Sequence, residues 1–365
     1  MGDPAADPDR SDTPNTQWSR RGVLSAGAAA TLGLAGAGTA SGATEAPPAV
    51  DPENVHIYLL FGQSNMEGQG TVEPEDEQTR EDVRVLQDKT CPDLNRAYGT
   101  WYLAEPPLNR CWAGIGPGDY FGKKMAKETP DDVVIGLVPA AVSGCDIALF
   151  EKGAPIGTGE YSVPRDFPGG YQWLLDLAQQ AQKVGTIKGI LLHQGETNTG
   201  DPEWKYAVEG IYEDLRADLD IGKVPFLAGE MLYADQGGAC AAHNEEVAKI
   251  PDVIDNGHVV SAEGLGGQDQ YHFDAAGYRE LGKRYADVML DALDVSPTPE
   301  TSRPLDATDP DGDGLYEDIN GNRQLDFPDV NLLFQNTDDT NDAKFDFDGD
   351  GDVDMQDVLA LFEMV

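Results

Sequence analysis

The stretch Val55-His56-Ile57-Tyr58-Leu59-Leu60-Phe61-Gly62-Gln63-Ser64-Asn65-Met66 runs an apolar segment straight into a tight polar turn. Seven residues of this kind cannot face solvent, so they read as a buried strand. Gly62 lets the backbone turn sharply and leaves Ser64 at the carboxyl end of that strand. Ligands bind at this edge in open α/β sheets, and a serine delivered there is presented as a nucleophile.

Working outward, apolar strand-like runs alternate with helical patterns from Asp51 to about Asp294, the signature of a parallel sheet covered by helices on both faces. Five strands are predicted, at His56 to Phe61, Val133 to Ala140, Gly189 to His193, Pro225 to Gly229 and His258 to Ser261. Helices are predicted over Asp119 to Lys127, Tyr171 to Lys183, Glu203 to Leu219, Ala241 to Ile250 and Asp274 to Leu293. The stretch from Gly70 to Gly116 is polar and rich in turn residues, and reads as an elaborated loop near the site.

A serine nucleophile needs a base, a group to orient that base, and donors for the oxyanion formed on attack. Asp269-Gln270-Tyr271-His272 lies just before the last helix, where one short turn brings both ends of the Asp-x-x-His spacing together. His272 is the candidate base and Asp269 its partner. Candidate oxyanion donors are the N–H groups of Ser64 and Gly144 and the side-chain amide of Gln194, each at a strand end. Glu196 either bonds the backbone of the serine turn or orients another site residue, and Gln63 and Asn65 are supporting candidates. His193 is explained by packing at least as well as by chemistry, and His56, His243 and His258 read as ordinary core or surface residues. Trp101, Tyr102, Trp112 and Tyr120 form either an aromatic platform for sugar rings or part of the core.

Gly62-Gln63-Ser64-Asn65-Met66, Gln194-Gly195-Glu196 and Asp269-x-x-His272-Phe273-Asp274-x-x-Gly277 follow the order seen in the sialate O-acetylesterase and acetylxylan esterase branch of the SGNH (GDSL-like) hydrolases, which they resemble. The resemblance spans about residues 54 to 290. It implies a flavodoxin-like α/β/α sandwich and removal of acetyl groups from carbohydrate hydroxyls, with Ser64 as nucleophile, His272 as base, Asp269 as its partner and no catalytic cofactor. Ser143-Gly144-Cys145 replaces a Gly-Gly-Thr common in the family, and Asn198 stands where an aspartate is common.

After a proline-bearing linker over 295–308 the chain changes character. Asp346, Asp348, Asp350, Asp354 and Asp357 fall at positions one, three, five, nine and twelve of an EF-hand-like loop, with Gly351 sixth and Asp352 seventh. Asp318, Asn320, Asn322, Gln324, Asp326 and Asp329 repeat the plan, with Arg323 in place of the glycine. Each loop leads into an apolar helix pattern at the same offset. The pair resembles the duplicated units of a type I dockerin, which implies a small all-α domain over 309–365, structural calcium and a cohesin-like or cell-surface partner. Asp309, Asp311 and Asp313 make a third acidic run, able to hold a further calcium or to cap the module.

The formal charge is −41, from 66 acidic and 25 basic residues, which argues against a nucleic-acid partner. Residues 309–365 carry 17 acidic and 2 basic side chains, leaving −26 upstream, so the acidity extends beyond any metal site. Such a surface stays hydrated in strong brine and resembles that of proteins from salt-loving archaea. Ser19-Arg20-Arg21-Gly22-Val23-Leu24, an Ala/Gly-rich stretch and a small-residue region read as a twin-arginine signal over residues 1–43. No later run spans a bilayer, so a secreted, soluble mature protein is expected. Four cysteines in an exported chain permit two disulfides. Connectivity is not readable from sequence. Cys91 and Cys111 flank a polar loop and are paired here, for roughly 3 kcal/mol in the chain-entropy model, while Cys145 and Cys240 either pair or stay free and buried.

The leading expectation is a secreted carbohydrate O-acetylesterase of the acetylxylan type. Sialate or another acetyl ester is the alternative substrate, and a non-catalytic calcium-dependent scaffold is the alternative class.

Overall fold

The strands, in chain order, are β1 Val55–Gly62, β2 Val83–Leu86, β3 Trp101–Leu103, β4 Val134–Ala141, β5 Thr186–His193, β6 Phe226–Gly229 and β7 Gly257–Val260. Ile57, Leu59 and Phe61 of β1 enter one core and Tyr58 and Leu60 the other, so both faces are buried. A strand covered on both sides has no face to make polar, which explains the continuous apolar run. In the computed structural model the described residues are 51–130, 132–154, 163–164, 167–295, 307–309, 314–319, 325, 327–337 and 343–365. The segment read as an export signal, residues 296–306 of the predicted linker, and Asp311, Asp313, Asn320, Asn322, Gln324 and Asp326 lie outside them.

The sheet order is β3-β2-β4-β1-β5-β6-β7, with β1 parallel to both β4 and β5. From β1 the chain builds one side of the sheet through β4 and then the other from β5, so a crevice opens at the carboxyl end of β1. α1 (Ser64–Glu67) is a single turn at that crevice. α2 (Pro117–Glu128) and α7 (Ala275–Ala292) cover one face through Phe121, Met125, Tyr278 and Leu281. α3 (Gly170–Ala181) and α4 (Trp204–Leu219) cover the other through Trp173, Leu174, Ile211 and Leu215. In α4 the buried positions 204, 208, 211, 212, 215 and 219 form the apolar stripe that the sheet requires. Among the described residues no helix is long and apolar enough to cross a membrane.

Two expectations are corrected. The sheet has seven strands and is mixed, where five parallel strands were predicted: β2 adds beside β4, and β3 returns antiparallel to β2 as the edge. Both lie in the stretch read as loop, where four- and three-residue strands are too short to show a period. The helix predicted over Ala241 to Ile250 is broken into a 3-10 turn at Ala241–His243, α5 (Asn244–Val247) and α6 (Ile250–Val253). Pro251 accounts for the restart, because a proline without an N–H is tolerated in a first turn and not in a helix interior. Cys91 and Cys111 are bonded, and Cys145 and Cys240 are free and buried.

Further along, α8 (Phe327–Asn336) and α9 (Met355–Met364) share a separate small core of Ile319, Val330, Leu333, Phe345, Val353, Val358 and Leu361. Asp354 caps α9 and Asp357 bonds back to the Asp354 N–H, a reciprocal capping box.

Candidate active site

Gly62 has φ +145°, and a Cβ there would lie 2.1 Å from the His193 carbonyl oxygen. Only glycine lets β1 pass so close to the end of β5. Gln63 N–H donates to that same oxygen at 3.0 Å, and Val142 N–H donates to Gly62 O at 3.0 Å, so the serine turn is fastened to both neighbouring strands. Ser64 Oγ lies 2.9 Å from His272 Nε2, and His272 Nδ1 lies 2.8 Å from Asp269 Oδ2. The other oxygen of Asp269 accepts the Tyr271 and His272 N–H groups at 2.7 and 2.8 Å, which is why a three-residue spacing suffices. Partial burial pushes the Asp269 carboxyl up, but the bonds from His272 and the two N–H groups outweigh it and hold it below 3.8.

Asn65 is the hub of the site. Its amide donates to Glu196 Oε1 and, at 2.9 Å, to the Tyr271 carbonyl, while its oxygen accepts from the Tyr278 hydroxyl at 2.6 Å. Of the two readings of Glu196, the structure shows the second: it holds another site residue, Asn65. Burial raises the Glu196 carboxyl above its ordinary value.

The candidate oxyanion donors separate. Gln194 is buried, and its amide nitrogen is surrounded by Gln63 Oε1 at 3.0 Å, Cys145 O at 3.2 Å and Asn198 Oδ1 at 2.7 Å. An NH2 group has two hydrogens and three acceptors here, so Gln194 has none left for an oxyanion, contrary to expectation. It serves instead to tie the serine turn to the 145 and 198 segments. Asn198 accepts both from Gln194 and from Ile147 N–H at 3.0 Å. Gly144 sits at the corner of a turn closed by Cys145 N–H to Val142 O at 3.2 Å, with φ +68° and open space around its missing Cβ. Among the described residues neither the Ser64 nor the Gly144 N–H has an acceptor.

Sequence reasoning missed a buried chain behind that turn. Ser143 Oγ donates to Glu67 Oε2, Arg110 Nε donates to Glu67 Oε1 at 3.1 Å, and Arg110 N–H donates to Asp88 Oδ2 at 2.9 Å. Burial pushes Asp88 up to about 6, against the bonds and charge of Arg110 that favour its ionised form. The available signal was charge placed one position from a cysteine and three from the nucleophile. His193 and His243 are fully buried, with pKa values lowered by burial to about 3 and about 4, as core residues should be. His56 is lowered likewise, to about 4, and His258 bonds Asn256. Trp101 and Tyr102 are core, Tyr120 bonds Asp76, and Trp112 is exposed.

In the acidic tail, carboxylate oxygens of Asp346, Asp348 and Asp350 lie within 4.8 Å of one another. Asp346 receives the Gly349, Asp350 and Gly351 N–H groups at 2.8 to 3.1 Å, and Gly351 adopts φ +97° at the sixth position. Buried Asp357 accepts from Asp348 N–H at 3.2 Å, closing the loop onto α9. Asp352 and Asp354 follow in the same loop. Of the first loop, Asp318 and Asp329 are described, both buried, and Asp309 accepts from Gly314 N–H at 2.9 Å.

A mostly parallel α/β sheet with a serine at the carboxyl edge of its central strand is consistent with the SGNH-like hydrolases. The chain belongs to the carbohydrate esterase family described as sialic acid-specific acetylesterase (SASA), which it matches over residues 54–291. It is 27% identical over 252 residues to a probable carbohydrate esterase of Arabidopsis thaliana, covering 64% of this chain and 90% of that protein. A solved structure from Arabidopsis thaliana aligns with TM-score 0.53 at 24% identity over 66% of this chain and 99% of that one. The solved structure of NanS aligns with TM-score 0.52 at 15% identity, over 66% and 98%. At these identities the two structures establish a common fold.

The Asp269 environment generates a pH prediction. Its folded pKa lies below its ordinary value, so its bonds stabilise the folded chain fully above the unfolded-state pKa and are lost as pH falls through the lower folded one. The group is half-exposed, which keeps the effect small. In denaturant titrations, the stability gap between the parent and Asp269→Asn should narrow below pH 4. A gap that widens on acidification contradicts the assignment.

Proposed function

We propose that the chain is a serine acetylesterase acting on acetylated carbohydrate, and the observation that carries this is the continuous line Ser64 Oγ, His272, Asp269 at the edge where β1 ends. Ser64 Oγ attacks the acetyl carbonyl carbon and its proton passes to His272 Nε2, while Asp269 holds the Nδ1–H and stabilises the imidazolium. The Ser64 and Gly144 N–H groups receive the oxyanion. Collapse of the tetrahedral intermediate returns the proton to the departing sugar hydroxyl and leaves an acetyl group on Ser64. Water, deprotonated by His272, then releases acetate. The acetylxylan type is the leading substrate reading, and the SASA family description favours O-acetyl sialate as the second. A merely structural hydrolase fold has no need of a serine, imidazole and carboxylate in line.

The tail is proposed to be a calcium-folded, dockerin-like module. Three aspartate carboxylates converge, a glycine with positive φ stands sixth, and the small core alone is meagre support for a domain. Asp346, Asp348, Asp350, Asp352, Asp354 and Asp357 would hold one ion, and Asp318 and Asp329 with their loop a second. Bound calcium would neutralise the crowded carboxylates and supply folding free energy. Phe327, Phe334, Met355, Leu359 and Phe362 are exposed on α8 and α9, a face suited to a protein partner. Secretion through the twin-arginine route and service in strong brine complete the reading, supported by the residue 1–43 pattern and the −41 charge.

Acetate release from acetylated xylan and from O-acetyl sialate separates the two substrates. Ser64→Ala is expected to reduce turnover on the better one by about 10⁴-fold or more; retained activity removes Ser64 from the mechanism. For the tail, calorimetric melting of the full chain with calcium and then with chelator should show a transition that calcium raises and chelation lowers. Superimposable melts contradict the calcium proposal.

A further inference from the structure

Among the described residues of 51–294, three large hydrophobic side chains are exposed: Trp112 at 57%, Tyr206 at 51% and Tyr271 at 42%. Single exposed rings are ordinary, so placement decides. Two of these three stand on the segments that adjoin the nucleophile. Trp112 lies on a strap, residues 109–115, clamped alongside α1 and Gly70. Asn109 Nδ2 donates to Met66 O at 3.2 Å, Arg110 Nε to Glu67 at 3.1 Å and Gly114 N–H to Gly68 O at 2.9 Å, and Cys111 is tied to Cys91. Tyr271 sits between Asp269 and His272, its carbonyl held by Asn65 and its ring edge-on to His272 at 6.3 Å.

The backbone that carries each ring is therefore held by hydrogen bonds, while the rings themselves stay exposed. Lys89 Nζ lies 4.7 Å and Arg110 Cζ 5.8 Å from the Trp112 ring centre, further fixing the indole, which still exposes more than half its surface. A fixed, exposed aromatic loses little conformational freedom when a ligand covers it. The C–H face of a pyranose is the matching surface, apolar and flat, and acetylation makes a sugar more apolar still.

We infer that Trp112 and Tyr271 are the sugar-binding walls of the site, packing against pyranose rings of an acetylated glycan whose acetyl group lies at Ser64. This rests on the esterase reading and adds to it where the carbohydrate binds. It separates Trp112 from the other candidate aromatics, which are buried or bonded, and adds a residue that no motif marks.

The test compares kcat/KM for partly acetylated xylo-oligosaccharides and for O-acetylated N-acetylneuraminic acid with that for p-nitrophenyl acetate, which carries no sugar ring. For whichever glycan the parent prefers, Trp112→Ala should lower the glycan to p-nitrophenyl acetate ratio about tenfold, Trp112→Phe should recover part of it, and Tyr271→Ala should lower it in the same direction. A ratio within twofold of the parent in both alanine variants overturns the inference and leaves the esterase reading standing. A parent that hydrolyses none of the three esters overturns the esterase reading instead. Calorimetry of the full-length Ser64→Ala protein with the same glycans then decides the inference independently. Affinity about tenfold weaker in Ser64→Ala/Trp112→Ala supports it, and equal affinity or no binding overturns it.

Discussion

One buried amide, that of Asn65, joins three parts of the chain that are distant in sequence. Its nitrogen reaches Glu196 beyond β5 and the Tyr271 carbonyl before α7, and its oxygen takes the Tyr278 hydroxyl within α7. Asn65 follows Ser64 directly, and Tyr271 precedes His272 directly, so the distance between serine and imidazole is set through these bonds. Losing the amide would strand a carboxylate, a carbonyl and a phenol, each costing about 1–3 kcal/mol when buried unpaired. The network is therefore structural and functional at once.

A second constraint lies behind the turn over residues 142–145. Glu67 and Arg110 are both nearly inaccessible, and a buried ion pair repays its desolvation only when the remaining polar atoms are bonded. Here Ser143 occupies the other Glu67 oxygen, the Arg110 guanidinium lies 5.1 Å from the Trp173 ring centre, and Asp88 takes the backbone N–H of Arg110. The Cys91–Cys111 bond closes the loop that carries Arg110, so the disulfide limits the freedom of the strap that walls the site. Ser143 has a local role at this turn, since its hydroxyl is the one that Glu67 holds.

Much of this was legible because it is local. The three eight-residue strands β1, β4 and β5 announced themselves, since burial on both faces leaves them almost continuously apolar. Asp269 and His272 were legible because their bond closes within one turn. The Ser64–His272 contact joins residues 208 apart and was reached through ordered motifs, not periodicity. What escaped reading is tertiary. β2, with Arg84 between Val83 and Val85, pairs correctly only because β4 lies beside it. Gln194 looked like a donor at a strand end, yet its surroundings at 63, 145 and 198 consume its hydrogens. The predicted 241–250 helix stopped short of Pro251, and the break inside it, at Ala248 and Lys249, carries no glycine or proline to mark it.

The central claim is that Ser64 is a nucleophile activated by His272. Covalent labelling with an alkyl fluorophosphonate, followed by intact mass and peptide mapping, tests it most directly. The account expects one adduct per chain, on the peptide containing Ser64, formed far more slowly in His272→Ala. No adduct under conditions in which the parent hydrolyses acetyl esters, or an adduct on another residue, would contradict it.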